Sequence, residues 1–285
     1  MVTRVPRPAG RGSAFRPTTV ADASRRLSLP LAEVETVKSG PGFERLAEAR
    51  PDVLVVVAYG EILPPAILDL PAVAPVNLHF SLLPQLRGAA PVQRAILDGL
   101  AETGVTTMAM AEGVDTGPVL LQASEPIEPE DDAGALGARL ARRGAALLVE
   151  TLDRLAAGDM EPTPQDEDAA TYAPKLRPEE RWIDWSEDAA AVLRRIRALS
   201  PDPVASTAFR DRVLKLFRAT ETSRTGPPGT VVAVDRDGFE VAAGAGAVRP
   251  LEVAPEGRRR MSGADFVRGY RPRPGEPLEG PGRPI

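Results

Sequence analysis

The segment Pro51-Asp52-Val53-Leu54-Val55-Val56-Val57-Ala58, followed after a proline-rich turn by Pro75-Val76-Asn77-Leu78-His79, decides the fold class. Val53 to Ala58 is a short, β-branched apolar run, the pattern of a strand buried on both faces of a parallel sheet. Pro75 to Leu78 reads as a second strand. Between them Ile62, Ala66, Ile67 and Leu70 fall on one helical face. Outward from this pair, Pro91 opens a helix carrying Val92, Ala95 and Ile96, since proline is tolerated in a first turn. Gly104–Ala111 and Val119–Ile127 read as further strands. Asp131 and Asp132 cap a long helix reaching Ala157, with Leu136, Leu140, Leu147, Leu148, Leu152 and Leu155 as its apolar positions. Alternation of strand and helix predicts an open α/β sheet of the nucleotide-binding type.

The composition changes after Gly158. Residues 158–180 place Pro162, Pro164, Pro174 and Pro178 among acidic residues, which predicts an extended linker. A helix over Asp188–Leu199 follows, then short strands at Ala205–Phe209, Val213–Ala219, Gly229–Asp235, Gly238–Ala243 and Val248–Val253. Asp237-Gly238 is a hairpin turn. The set predicts a small β-barrel over 181–285, with an unstructured tail from Pro272. The division is therefore an α/β domain over 1–157, a linker over 158–180 and the barrel, as 285 residues allow for two domains.

Composition narrows the chemistry. The chain has no cysteine and a single histidine, His79, which removes disulfide scaffolds, thiolate zinc sites, cysteine nucleophiles and histidine-rich metal centres. No metal is expected. No apolar run approaches the ~18 residues of a membrane-spanning helix, and the opening Met1–Pro6 has no apolar leader core. A cytoplasmic protein without membrane contact is expected. The net charge of −5 is unevenly spread, at +4 over residues 1–38, −12 over 39–175 and +3 over 176–285. A basic front and tail around an acidic middle suit a polyanion, although a +3 tail is also ordinary surface. Of the 35 basic residues only Lys38, Lys175 and Lys215 are lysine, the bias of a GC-rich coding sequence.

Asn77 and His79 share a face by strand periodicity and lie at the carboxyl edge, where open α/β sheets bind ligands. Glu112-Gly113-Val114-Asp115-Thr116-Gly117 sets Asp115 in a tight turn after another strand. An amide donor, an imidazole and a carboxylate together suit acyl transfer to an amine. The same residue types also fit two turn residues and a satisfied sheet-edge histidine, and type alone does not separate the two.

The span Val53–Leu121 resembles the folate-dependent formyltransferases. The resemblance rests on Asn77-x-His79, Ser81-Leu82-Leu83-Pro84 and an aspartate 38 positions past the Asn. Arg87–Ile96 and Glu102–Thr106 resemble the tRNA-formylating branch, as does the loop Pro8-Ala9-Gly10-Arg11-Gly12. The similarity continues through Tyr172–Lys175, Ile183–Trp185, Pro227–Gly229 and Arg260–Ser262. It implies 10-formyltetrahydrofolate as donor, gripped partly by Ser81, Leu82, Leu83 and Pro84, and the α-amino group of methionyl initiator tRNA as acceptor. It further implies Asn77, His79 and Asp115 as the catalytic set, Arg11 at the tRNA acceptor stem, and a barrel of the oligonucleotide-binding type. Arg258, Arg259 and Arg260 are expected to meet tRNA phosphates, and the chain is expected to be monomeric. Formyl transfer to an amino-sugar, hydrolysis with the same folate, and an inactive nucleic-acid-binding protein are the alternatives.

Two departures stand out. Ser13-Ala14-Phe15 occupies the place of a lysine pair in the branch. In the family a strand, a glycine turn and a helix precede the strand that Met1-Val2-Thr3 matches, so either the start is mis-assigned or the product is a truncation, and mis-assignment is expected because every downstream motif is intact. A parallel sheet lacking an internal strand leaves its neighbours without ladder partners. The 285-residue product is therefore expected to aggregate when expressed alone, and a version extended upstream to fold. Size-exclusion chromatography of the two products checks this, and a monodisperse, active short form refutes it.

Overall fold

The computed structural model describes residues 1–9 and 14–279. The chain divides into two compact units, the first built from 1–79, 106–122 and 146–169, the second from 80–105, 123–145 and 170–285.

In the first unit Val53–Val56 pairs parallel with Ala74–His79 in a four-stranded sheet, placing Val56 opposite Asn77. On its other flank Ala74–His79 pairs antiparallel with the Glu102–Ala109 strand, His79 facing Thr106 and Asn77 facing Met108. The sheet is thus mixed where the apolar runs predict a parallel one. A separate pair joins Val2–Arg4 to Ala32–Val34 in parallel. Val53–Val56 forms an edge of its sheet rather than a strand buried on both faces, and Val55 and Val57 are exposed. The aliphatic run behaves as a core strand on one face only: Leu54 and Val56 pack with Val2, Val34, Leu46, Leu63 and Ile67. Arg4 and Thr36 both reach Glu61, at 2.8 and 3.0 Å, which ties the two strand pairs together through one carboxylate.

The Ile62–Leu70 segment supplies only one helical turn, Pro65–Leu68, and Pro71 disfavours helical geometry at the residue before it. The long helix Ala133–Ala157 is present as expected, and Asp132 Oδ1 accepts from the Ala135 amide at 2.8 Å. The extended 158–180 segment is anchored rather than loose. Val119 and Thr163 exchange backbone hydrogen bonds of 2.8 Å each, and Tyr172–Ala173 pairs parallel with Arg87–Gly88.

In the second unit the sheet order is Val231–Asp235, Gly238–Ala242, Ala247–Pro255, Arg212–Thr222, Ala205–Phe209 and Leu278–Glu279, with Met261–Ser262 paired onto Ala247–Pro255. The two ends of that order meet. Val231 donates to Glu276 O at 2.9 Å, Gly275 to Val231 O at 2.8 Å and Leu278 to Gly229 O at 2.6 Å, which curls the sheet closed. The segment from Pro272 to Glu279 is therefore ordered, and the remainder of the expected tail lies outside the described residues. A register shift around Phe217 bends the longest strand. Ile183, Trp185, Val192, Ile196, Leu199, Phe239 and Phe266 fill the interior. Phe266 lies 5.1 Å from Phe239 and 4.7 Å from Tyr270, ring centre to ring centre.

Arg94 clamps Glu180 within this unit through two nitrogens, at 2.7 and 3.1 Å, with both side chains largely buried. Those bonds hold the Glu180 carboxyl down at about 2, against an ordinary 4.5. A carboxyl lowered on folding contributes stability that is complete above its ordinary value and lost as pH falls toward the folded one. Thermal unfolding is expected to show the native protein losing this contribution between pH 4.5 and about 2, and Glu180→Gln showing no such loss. At neutral pH that variant is expected to be less stable by about 1–3 kcal/mol, having left Arg94 without its partner.

Candidate active site

The central strand Ala74–His79 positions the first two candidate side chains. Its period of two sends Val76 and Leu78 into the core, with 0% and 5% exposure, and Asn77 and His79 to the opposite face. Asn77 Nδ2 donates to Val56 O at 3.2 Å, across the parallel register. That bond fixes which way the amide points, because a carbonyl accepts only from the nitrogen side. It leaves Asn77 Oδ1 buried and without a hydrogen-bond partner among the described residues. One Nδ2 hydrogen is committed to Val56, and the amide retains a second.

His79 ends the strand, buried at 6% exposure. Asp115 Oδ2 lies 3.6 Å from His79 Nδ1, within ion-pair distance and longer than a hydrogen bond. Such contacts commonly lie long before substrate binds. Asn77, His79 and Asp115 all belong to the first unit.

The turn that carries Asp115 is built by four local constraints. Gly113 has φ +109°, and Asp115 itself has φ +55°, a left-handed conformation that aspartate tolerates better than most residues. Thr116 Oγ1 donates to Glu112 O at 3.0 Å across the turn. Gly117 passes so close to the preceding strand that a Cβ would lie 1.8 Å from Ala109 O. One further residue, which the motif did not include, reaches this turn. Gln165 Nε2 donates to Asp115 O at 2.8 Å and to Gly117 O at 2.6 Å. The only signal for it in the sequence is an isolated amide after Pro164 in an acidic, proline-rich run.

The Ser81–Pro84 turn belongs to the second unit. Ser81 is fully buried and its Oγ donates to Gln85 O at 2.5 Å. Gly104 makes room for Leu82: a Cβ there would lie 2.5 Å from Leu82 Cδ2. Thr171 closes the segment, donating from its amide to Pro84 O at 3.2 Å and accepting from the Leu86 amide at 2.8 Å. Arg258, Arg259 and Arg260 are exposed on the turn after Pro255. Arg260 is engaged, its guanidinium 3.6 Å from the Phe217 ring centre and 3.7 Å from Glu252. Among the described residues Arg258 and Arg259 form no ion pair, and Arg258 borders a cleft of about 270 Å³ shared with Arg210, Arg212 and Tyr270. Arg11 lies outside the described residues. The described residues hold no cluster of metal-ligating side chains and no helix long and apolar enough to cross a membrane.

The family model for formyl transferase matches residues 1–152, and that for the formyl transferase C-terminal domain matches 175–271. A methionyl-tRNA formyltransferase of Citrifermentans bemidjiense is 42% identical over 96% of this chain and 86% of its own length. One of Acidithiobacillus ferrooxidans is 45% identical over 97% and 89%. Among solved structures, HypX from Aquifex aeolicus in complex with tetrahydrofolic acid superposes with a TM-score of 0.64 at 22% identity, over 85% of this chain and 43% of that one. Methionyl-tRNA formyltransferase from Clostridium thermocellum superposes with a TM-score of 0.54 at 20% identity, over 70% and 86%. At that distance the structures speak for the fold, and the sequence relatives for the lineage. A strand-end amide and imidazole facing a glycine-flanked aspartate thus sit inside a chain that belongs to the formyl transferase family.

Proposed function

We propose that this chain transfers the formyl group of 10-formyltetrahydrofolate to the α-amino group of methionyl initiator tRNA. The observation that carries the reading is the 3.6 Å approach of Asp115 to the only imidazole in the chain, on the same strand face as Asn77. Relatives that bear this activity in their names match along nearly their whole length.

The chemistry needs three things from the protein. The amine must be neutral, and its ordinary value near 7.7–8.0 leaves a neutral fraction at pH 7. As its nitrogen bonds to the formyl carbon, the carbonyl π pair moves onto oxygen, and that oxyanion needs donors. The free Asn77 Nδ2 hydrogen and a ring N–H of His79 serve it in this proposal. Asn77 Oδ1, buried and unsatisfied, is suited to accept from the attacking amine's N–H and so to aim its lone pair. Collapse then restores the carbonyl and breaks the bond to folate nitrogen, which gains a proton as the amine loses one. Asp115 orients the imidazole through that exchange. Ser81, Leu82, Leu83 and Pro84 are assigned to the folate. Residues 1–157 carry the chemistry in this reading, 158–180 connect, and 181–285 bind tRNA, in a monomer of the cytoplasm.

Single substitutions test the catalytic set. His79→Ala and Asn77→Ala are each expected to lower kcat by about 10²–10³ with the fold intact, the loss typical of removing one oxyanion donor. Asp115→Asn is expected to fall in the same range. Formylation of charged initiator tRNA by the purified variants decides it, and near-native turnover in any one removes that residue from the set.

Salt dependence tests the tRNA surface. Each phosphate contact contributes roughly 0.7–0.9 to the slope of log affinity against log salt. The double variant Arg258→Ala/Arg259→Ala is expected to flatten that slope by about 1–2, whereas Arg260→Ala, whose charge faces Phe217 and Glu252, is expected to change it little. Arg11→Ala is expected to raise KM for tRNA more than for folate. Equal slopes in the native protein and the double variant exclude the pair from the interface.

A further inference from the structure

Among residues 161–169 Gln165 alone is not exposed. Glu161, Pro162, Thr163 and Pro164 before it, and Asp166, Glu167, Asp168 and Ala169 after it, all face solvent. The strap is held on either side of the amide. Thr163 is bonded in both directions to Val119, just past the aspartate turn, and the Asp168 amide donates to Asp166 Oδ1 at 3.0 Å to make a tight bend. Between these anchors one side chain turns inward, and its Nε2 reaches the Asp115 turn.

Those two bonds start at the residue that matters. The Asp115 carbonyl lies in the Asp115–Thr116 peptide and the Gly117 carbonyl in the Gly117–Pro118 peptide, and a single Nε2 donating to both holds those two planes. Asp115 needs such support because its φ of +55° is a minority conformation for a residue with a side chain, and it persists only where neighbours hold it. Gly117, locked against Ala109 O, fixes the far end of the turn, and the Thr116 hydroxyl ties the near end to Glu112. Neither of these touches the Asp115 carbonyl. Gln165 does.

We propose that Gln165 is a positioning residue, which holds the Asp115 turn so that the carboxylate meets His79 Nδ1. The proposal rests on the catalytic reading of Asp115 and His79 given above. Gln165 acts through the backbone, contacts neither substrate in this proposal, and needs only its amide N–H groups. A glutamate at this position would point carboxylate oxygens at two carbonyls, and a methionine would keep the stem length and lose the donors.

The test compares Gln165→Met and Gln165→Glu with Asp115→Asn and with the double variant Gln165→Met/Asp115→Asn, all in the full chain. Gln165→Met is expected to lower kcat about 10–100-fold, the scale of a roughly 1 Å misplacement, with KM for tRNA and folate within about twofold of native. Gln165→Glu is expected to be at least as damaging. In the Asp115→Asn background, Gln165→Met is expected to add less than about a twofold further loss, since residues acting through one another are not additive. His79 being the only histidine, its ring nitrogens give the only imidazole signals in a ¹⁵N spectrum of the whole protein. Those signals are expected to move in Gln165→Met in the same direction as in Asp115→Asn, a change that mere loosening of a distant strap does not produce. Native kcat in Gln165→Met, full multiplicative loss in the double variant, or unmoved imidazole signals overturn the proposal. If Asp115→Asn itself turns over at the native rate, the catalytic reading fails first, and the two failures are thereby told apart.

Discussion

The candidate site depends on how closely two backbones approach. Gly117 passes Ala109 O at a separation that excludes even a methyl group, and the whole aspartate turn is folded back against the strand by that approach. A side chain at position 117 would push the turn away from the strand that pairs with Ala74–His79, and Asp115 would leave with it. The strand end and the turn are thus two halves of one device. The sheet register sets where His79 stands, through Leu78 opposite Thr107 and His79 opposite Thr106, and the glycine sets where Asp115 stands. Threonines reinforce the same sheet from below: Thr107 bonds Thr151 of the long helix at 2.7 Å and accepts from the Leu121 amide at 3.2 Å.

Much of this was legible in the sequence, and the reasons are physical. Asn77 and His79 are separated by one residue, and a period of two is the most reliable geometric statement a sequence makes. Gly113 and Gly117 around Asp115 announce a turn, because glycine is the residue that such backbone paths demand. The barrel strands were legible from their alternation and from Asp237-Gly238. Other features were not. The edge position of Val53–Val56 is a matter of pairing, and an apolar run carries no record of which neighbours it finds. Gln165 was hidden for a different reason: proline and acidic neighbours report an extended chain, and extension says nothing about which single side chain turns inward. Its bond to Asp115 spans fifty residues of sequence.

Charge tells a similar story. The chain carries thirty-two arginines. In the second unit many are spent internally: Arg195 on Glu187 at 2.9 Å, Arg210 on Glu276 at 2.7 Å, Arg249 on both Asp235 and Glu240 at 2.7 Å. Arginine suits that use, since its planar fork bonds a carboxylate with two nitrogens at once. The count of arginines therefore overstates the positive charge left unpaired at the surface, because each such pair is neutral. Among the described residues Arg258 and Arg259 are exposed and form no ion pair.

Arg87–Gly88 pairs with Tyr172–Ala173, and Leu86 and Ala95 pack against Ala173 in one small core. In the time frame of synthesis this has a cost. Ala95 leaves the ribosome 78 residues before Ala173 does. At roughly 5–20 residues per second that is about 4–16 seconds in which the Leu86 and Ala95 surfaces exist without the strand that covers them. The strand ladder and the apolar patch beneath it are completed by one late segment, so the nascent chain carries an open edge and a bare hydrophobic face together until that segment arrives.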